Sequence, residues 1–476
     1  MRKTTFFPLQ ILLPRLALVC LFGVWTVSTS VIENDYFKGL SESFLKLHLY
    51  YPDKPNPVLF LLKNPYDPSA LQWAIHDLSY FNGKYWLYWS PLPTLLYMPF
   101  LILSIPVNSK VIGVLLLVGI SLVFFAFQVE TLRNVSKRSM KAKFSFSVCL
   151  IISSGILIAL RRPATYEIPI LFASLLSITG IWVFFKIMQR SPEKNPRNSF
   201  FLIGLFLSMA TWCRPSYIGT FFVVCTAIYF WCSKDIKNWL YQMRYVVVGC
   251  LPTVSTFFIY NQLRFGDPLE IGHRYQIAGI SNASLGGPSI DWTLTAFSQY
   301  IFGVPRIISE FPFVALGSSP IYSYPQGYIY EPTIGLIWLC PVYLLFFTYK
   351  YSFRNIEQFD LAKKFGILTI LSGNINLIIN TVLIGSTSFR YIIDGSVLIA
   401  LGVALTFSKY FERANKNNHK VTSGKKHPNR TKPKDIFYNK EQKAIRNFVV
   451  TLSALGCVIS LLISLTGYYD PLNIID

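Results

Sequence analysis

Charge is what this sequence has least of. Only 14% of its 476 residues are Asp, Glu, Lys or Arg, where soluble domains carry about a quarter. Acidic residues are scarcest, 23 against 44 Lys and Arg, for a net charge of +21. With 52% hydrophobic residues, no soluble fold of this length would hide the apolar surface. The composition therefore excludes the roughly three soluble domains that length alone allows. It gives an integral membrane protein. Informative cysteine spacing is also missing. The eight cysteines fall almost entirely inside apolar runs, with no CxxC and no Cys/His cluster of zinc-like spacing, and they read as small buried hydrophobes. The chain has no P-loop, no dinucleotide fingerprint and no nucleophile beside a paired base.

Long apolar runs are what it does have. A helix needs about 20 apolar residues to cross the hydrocarbon core. Runs that reach or approach that length lie at 9–31, 111–129, 144–160, 168–185, 199–213, 217–233, 245–260, 333–349, 365–384, 392–408 and 447–466. They predict an all-α polytopic protein of about 11 transmembrane helices. Met1-Arg2-Lys3 ahead of the first run reads as the start of an uncleaved signal anchor. The stretch 86–105 is also apolar, but Pro91, Pro93 and Pro99 each remove a backbone donor. It reads as a re-entrant or interfacial segment.

Sorting the charge by side of the membrane sets the orientation. With eleven spans and a cytoplasmic N-terminus, the inside loops hold 30 Lys/Arg and 8 Asp/Glu, and the outside loops 12 and 15. This is the positive-inside pattern, and it puts the C-terminus outside. The net charge thus records orientation and gives no reason to expect a nucleic-acid partner. Two outer loops are long, 33–86 and 261–332, and rich in Tyr, Trp, Pro and Gly. The chain divides into a transmembrane module over 1–410, a basic cytoplasmic linker over 411–446, and a last helix with a short outer tail over 447–476.

The predicted spans hold almost no ionisable residue apart from Arg15. Ion-coupled transporters place such groups at mid-membrane. Here the ionisable residues gather at the outer helix ends, so chemistry is expected at the outer face. Glu33 and Asp35 follow the first span, and such a pair suits a divalent cation or proton abstraction from a hydroxyl. Arg161 and Arg162 share a short outer turn with Glu167. Arg214 and Arg390-Tyr391 mark two further outer turns. Guanidinium groups suit phosphate oxygens, and the four arginines would suit one anionic headgroup if they converge. Asp77 and Lys84 come from the first long loop, and His273 and Arg274 from the second. Surface snorkelling of the arginines and ordinary turn chemistry explain the same residues without a site.

The ordered series of outer motifs resembles the GT-C membrane glycosyltransferases, in particular bacterial relatives of protein O-mannosyltransferases and lipid A aminoarabinose transferases. Its elements are Glu33-x-Asp35-Tyr36, Asn64-Pro-Tyr-Asp-Pro through Asp77 to Tyr80-Phe-Asn-Gly-Lys-Tyr-Trp, Arg161 to Glu167, Tyr260 to Pro268, and Ser388-Phe-Arg-Tyr-Ile-Ile-Asp394. The resemblance covers most of 1–410. It implies a GT-C-like fold and transfer of a sugar from a polyprenyl-phosphate donor, with inversion, to a lipid, glycan or protein acceptor. It further implies Asp35, Glu33 and Glu167 as catalytic residues, with Glu33 and Asp35 as ligands of a divalent cation (Mg or Mn). Arg390, Arg161, Arg162 and Lys84 would bind the donor phosphate. Asp77, Tyr391, Arg214, His273 and Arg274 would bind acceptor or sugar. The implied setting is the cell envelope, in a bacterial inner membrane. The rival readings are a lipid-linked saccharide flippase or polymerase and a non-catalytic membrane protein.

Overall fold

Apolar side chains cover these helices on every side rather than along one stripe. The first helix buries Ile11, Leu12 and Val19 while exposing Leu9, Leu13, Leu21 and Trp25, as expected where lipid replaces water. The computed structural model describes residues 9–30, 34–131, 137–189, 196–278, 289–317, 330–347, 360–384, 386–411 and 433–466. In chain order the elements begin with α1 (Leu9–Ser28), α2 (Tyr36–Leu45), α3 (Val58–Leu61), the hairpin strands β1 (Ser79–Phe81) and β2 (Lys84–Trp86), and α4 (Thr94–Ile102). Then come α5 (Ser109–Glu130), α6 (Lys137–Ser153), α7 (Ile156–Ala159), α8 (Glu167–Gln189), α9 (Arg197–Cys213), α10 (Ile218–Trp231) and α11 (Ile236–Phe265). The chain continues through α12 (Ile290–Phe302), the short strands β3 (Arg306–Ile307) and β4 (Val314–Ala315), α13 (Leu336–Leu339), α14 (Leu361–Ile384), α15 (Phe389–Thr406) and α16 (Pro433–Thr466).

Among the described residues seven helices are long and apolar enough to cross a membrane: α1, α5, α8, α11, α14, α15 and the Lys443–Thr466 part of α16. This is a helical, multi-pass membrane architecture. The runs at 199–213 and 217–233 form α9 and α10, of 17 and 14 residues. The run at 144–160 is broken between α6 and α7 at Gly155, whose φ is +83°. The expectation of one helix over 333–349 is corrected. Pro341 has no N–H to continue α13, and the run becomes α13 followed by a 3-10 segment, Pro341–Phe347. Glu331 nevertheless lies beside Thr387 at one end of α14, and Asp360 caps the other end. Along its 24 residues α14 spans about 36 Å, so the chain between Glu331 and Asp360 passes from one end of the bundle to the other. Broken backbone at that depth needs protein cover, and α13 with its 3-10 continuation has it from α12, α15 and α16. The stretch 86–105 forms no long helix, only the nine-residue α4.

In α15, 89% of the apolar window is buried, against 28% in α11. Hence α15 runs through the centre and α11 along the rim. Two close crossings position the site. Hairpin helices α14 and α15 meet glycine to glycine: a Cβ on Gly373 would lie 2.6 Å from Gly395 O, and one on Gly402 2.5 Å from Gly366 O. On the rim, a Cβ on Gly204 of α9 would lie 2.0 Å from Val246 O of α11. At one end of the bundle the two long loops are sewn together. The β1–β2 hairpin turns at Asn82-Gly83, both with positive φ, the pairing a tight two-residue turn demands. Asp77 N–H donates to Ile277 O, Ile277 N–H to Leu78 O, and Ser79 Oγ to Gly272 O.

Candidate active site

Five chain segments meet beneath the sewn loops. Asp77 stands at the entry to β1, in a left-handed backbone conformation, φ +67°, that non-glycine residues adopt mainly where surroundings force it. Its carboxylate is buried. It accepts hydrogen bonds from Tyr166 OH at 2.5 Å and Gln276 Nε2 at 2.8 Å, and His76 Nδ1 lies 3.4 Å away. Burial, then the neighbouring phenol of Tyr88 and the Asp77 charge, pushes the Tyr166 hydroxyl well up. Tyr88 is pushed up by burial and by Asp77 in turn. Both phenols thus stay protonated, and Tyr166 serves as the donor to Asp77.

Arg390, in the first turn of α15, lies over the Tyr166 ring at 4.1 Å. It pairs with Glu331 at 3.2 Å, and Ser388 Oγ donates to the other Glu331 oxygen at 2.6 Å. Its Nε is buried without a hydrogen-bond partner. Glu167, the first residue of α8, is fully buried and faces the charges of Arg162 and Arg390. Neither of its oxygens accepts a hydrogen bond. Arg214 shares the Tyr391 ring with Arg390. The two guanidinium carbons lie 5.2 Å and 5.3 Å from that ring. Arg214 Nε donates to Asp394 Oδ2 at 2.9 Å, and Asn380 Nδ2 donates to the same oxygen at 2.6 Å. One terminal nitrogen of Arg214 is buried with no partner.

Arg214 also borders a cavity of about 740 Å³ between α9, α11 and α14. Trp212, Phe257 and Phe258 form one wall and Leu383 and Ile384 another. Its polar pole holds Tyr88, Arg214, His273, Asn380 and Tyr391. Partial desolvation pushes His273, which keeps substantial exposure, down from its ordinary value.

The expected residues divide into those brought together and those left apart. Asp77, Glu167, Arg162, Arg390, Tyr391, Arg214 and His273 share the cluster or its cavity. Neither Asp35 nor Asp77 lines the cavity; Asp77 borders it through Tyr166, which does. The two Asp35 oxygens accept from Lys38 N at 3.4 Å and Ser109 N at 2.7 Å, capping the starts of both α2 and α5. Two amide N–H donors hold it as a helix cap. Glu33 lies outside the described residues. Among the described residues no three His, Cys, Asp or Glu side chains gather as metal ligands do. Arg161 reaches Thr29 at the end of α1. Lys84 is exposed over the Tyr50 ring at 4.2 Å. Arg274 is exposed and pairs with Glu270 at 2.5 Å.

The reading of the spans as nearly free of charge is corrected. Asp394 is fully buried inside α15, within the expected span 392–408, while Arg264 lies beyond the expected span 245–260, at the end of α11 with 5% exposure. Sequence reasoning missed Glu331, Gln276, Tyr88, Asn380 and the pairing role of Asp394. No local spacing marks the first four, since their partners are distant in the chain. Asp394 carries the ordinary signal of an intramembrane carboxylate, but its place in the motif Ser388–Asp394 reads as part of a turn. No family model matches this chain, and no curated protein and no solved structure matches it either.

Proposed function

We propose that the protein is an integral membrane glycosyltransferase of GT-C type, which moves a sugar from a polyprenyl-phosphate donor to a lipid, glycan or protein acceptor at the outer membrane face. In this reading the chain has eleven crossings, a cytoplasmic N-terminus and an outer C-terminus. One observation carries it: a buried carboxylate, Asp77, and two arginines, Arg390 and Arg214, meet beside an apolar cavity at one end of the bundle. The cavity takes the first part of the lipid chain. Arg214, with an uncommitted N–H bordering the cavity, and Arg390 attract the phosphate. Asp77 takes the proton of the acceptor hydroxyl, whose oxygen bonds to the anomeric carbon from the face opposite the phosphate. The bond from that carbon to the phosphate oxygen breaks, and the phosphate leaves with the electron pair. The arginines neutralise the charge that develops on it. Proton abstraction thus moves from Asp35, which caps helices, to Asp77.

Asp394, buried within a helix beside a cavity, favours a second reading, a flippase or polymerase for lipid-linked saccharides. The two are separated by supplying membranes with a labelled polyprenyl-phosphate sugar. A transferase forms a new labelled acceptor and releases polyprenyl phosphate, with turnover about a hundredfold lower in Arg214→Ala. Movement of label across the membrane with no new glycosidic product would overturn the transferase reading.

A further inference from the structure

Where α1 lies against α6, a basic side chain sits inside a transmembrane helix. Side chains on a helix lean toward its N-terminus, and Arg15 of α1 follows that lean. Its Nη1 donates to Ile11 O at 2.8 Å, and its Nε donates to Ser145 Oγ of α6 at 3.3 Å. Its Nη2 has no partner among the described residues, and none of them answers it with a carboxylate. Ser145 is exposed, and its hydroxyl keeps its own proton to donate. Lys141 stands one turn earlier on the same face of α6. It is exposed and likewise has no carboxylate partner among the described residues.

Depth identifies the ligand. At the loop end of the bundle Arg161 reaches Thr29, and Lys110 Nζ donates to Ser30 O at 2.7 Å, so cations mark one interface there. From Thr29 back to Ile11, whose carbonyl holds the Arg15 guanidinium, α1 covers about 27 Å, close to the thickness of the hydrocarbon core. Arg15 therefore snorkels to the headgroup level of the opposite leaflet. Between the two levels the flank of α1 above Arg15 is apolar and open, with Leu18 and Trp25 each 44% exposed. Two cations and a hydroxyl at headgroup level, followed by an apolar flank, match a phosphate joined to acyl chains. A zwitterionic headgroup would bring its own ammonium against the two cations. We infer that Arg15, Lys141 and Ser145 form a binding site for an anionic phospholipid of the leaflet remote from the loops, its phosphate at the Arg15 guanidinium and its chains along Leu18 and Trp25.

The site is independent of the proposed transfer activity. Its test uses the full-length protein in bilayers that carry a trace of phosphatidylglycerol or phosphatidylcholine with a photoactivatable acyl chain. Labelled peptides are mapped by mass spectrometry. In wild type the phosphatidylglycerol probe is expected to label α1 between Arg15 and Trp25 in preference to the phosphatidylcholine probe. The Arg15→Gln/Lys141→Gln double variant should lower that labelling about tenfold or more, with labelling elsewhere and thermal unfolding unchanged. Lys141→Gln alone leaves the contact between α1 and α6 intact and should lower it by a few-fold. Arg15→Lys should retain only part of it, because an ammonium lacks the planar fork. Equal labelling of α1 by the two probes in wild type, or undiminished phosphatidylglycerol labelling in the double variant, would overturn the proposal. So would full suppression by millimolar inorganic phosphate, since that would make it a phosphate site with no use for the apolar flank.

Discussion

Arg264 and Arg244 sit on one helix and both stack on tyrosines, yet they lead opposite lives. Arg264 is 5% exposed, lies 4.1 Å from the Tyr260 ring and donates to Leu87 O at 2.5 Å and Asn261 Oδ1 at 2.6 Å. Its charge is committed to fastening the first long loop onto α11. Arg244 is exposed, with aromatic neighbours that orient it and leave its charge available. The contrast extends to the two ends of the bundle. At the loop end, charges are buried and answered by protein: Arg214 by Asp394, Arg390 by Glu331, Asp77 by Tyr166 and Gln276. At the other end Arg244 and Lys234 are exposed and lie over aromatic rings, although Lys186 there pairs with Glu130. Buried and answered charge fixes geometry, which a reaction needs.

If that contrast holds, the largest effect on stability comes from breaking an answered pair. Asp394→Ala leaves Arg214 buried without its counter-charge and should lower stability by about 3–5 kcal/mol, measured by thermal unfolding in detergent. Replacing both partners by apolar residues should recover most of the loss, because neither charge then needs an answer. A smaller effect is expected for Arg264→Ala, which strands the buried Leu87 carbonyl and the Asn261 side chain. It should cost about 2–3 kcal/mol and speed proteolysis within 33–86. At the exposed end, Arg244→Gln should leave the unfolding temperature unchanged. A marked drop there would mean that the aromatic-supported cations are structural too, and the contrast would fail.

Much of this was legible in the sequence because it depends on local patterns. Apolar runs place the helices, and short Arg/Tyr turns place Arg162, Arg214, Arg390 and Tyr391 at one end. What was hidden depends on contacts between distant segments. Asp35 and Asp77 belong to the same loop, and the local ExD pattern drew attention to Asp35. Asp77 is distinguished only by Tyr166, 89 residues away, and Gln276, 199 residues away. Glu331 answers Arg390 across a loop that carries no spacing signal. Asp394 was placed in a turn, but α15 already starts at Phe389, which carries the carboxylate a turn and a half into the helix. The run 333–349 has the length of a span, and Pro341 accounts for the end of α13 within it.

The central claim is that the loop-end cluster is a catalytic centre in which Asp77, rather than Asp35, takes the acceptor proton. Turnover of a polyprenyl-phosphate sugar by Asp77→Asn and Asp35→Asn, compared in one membrane preparation at matched protein levels, tests it most directly. Asn at position 77 keeps an acceptor for Tyr166 but cannot take a proton, so turnover should fall about a hundredfold or more. At position 35, Asn keeps one of the two acceptor oxygens and still caps one helix start, so at matched protein levels turnover should stay within a few-fold of wild type. The reverse order, with Asp35→Asn inactive and Asp77→Asn unimpaired, would contradict the account.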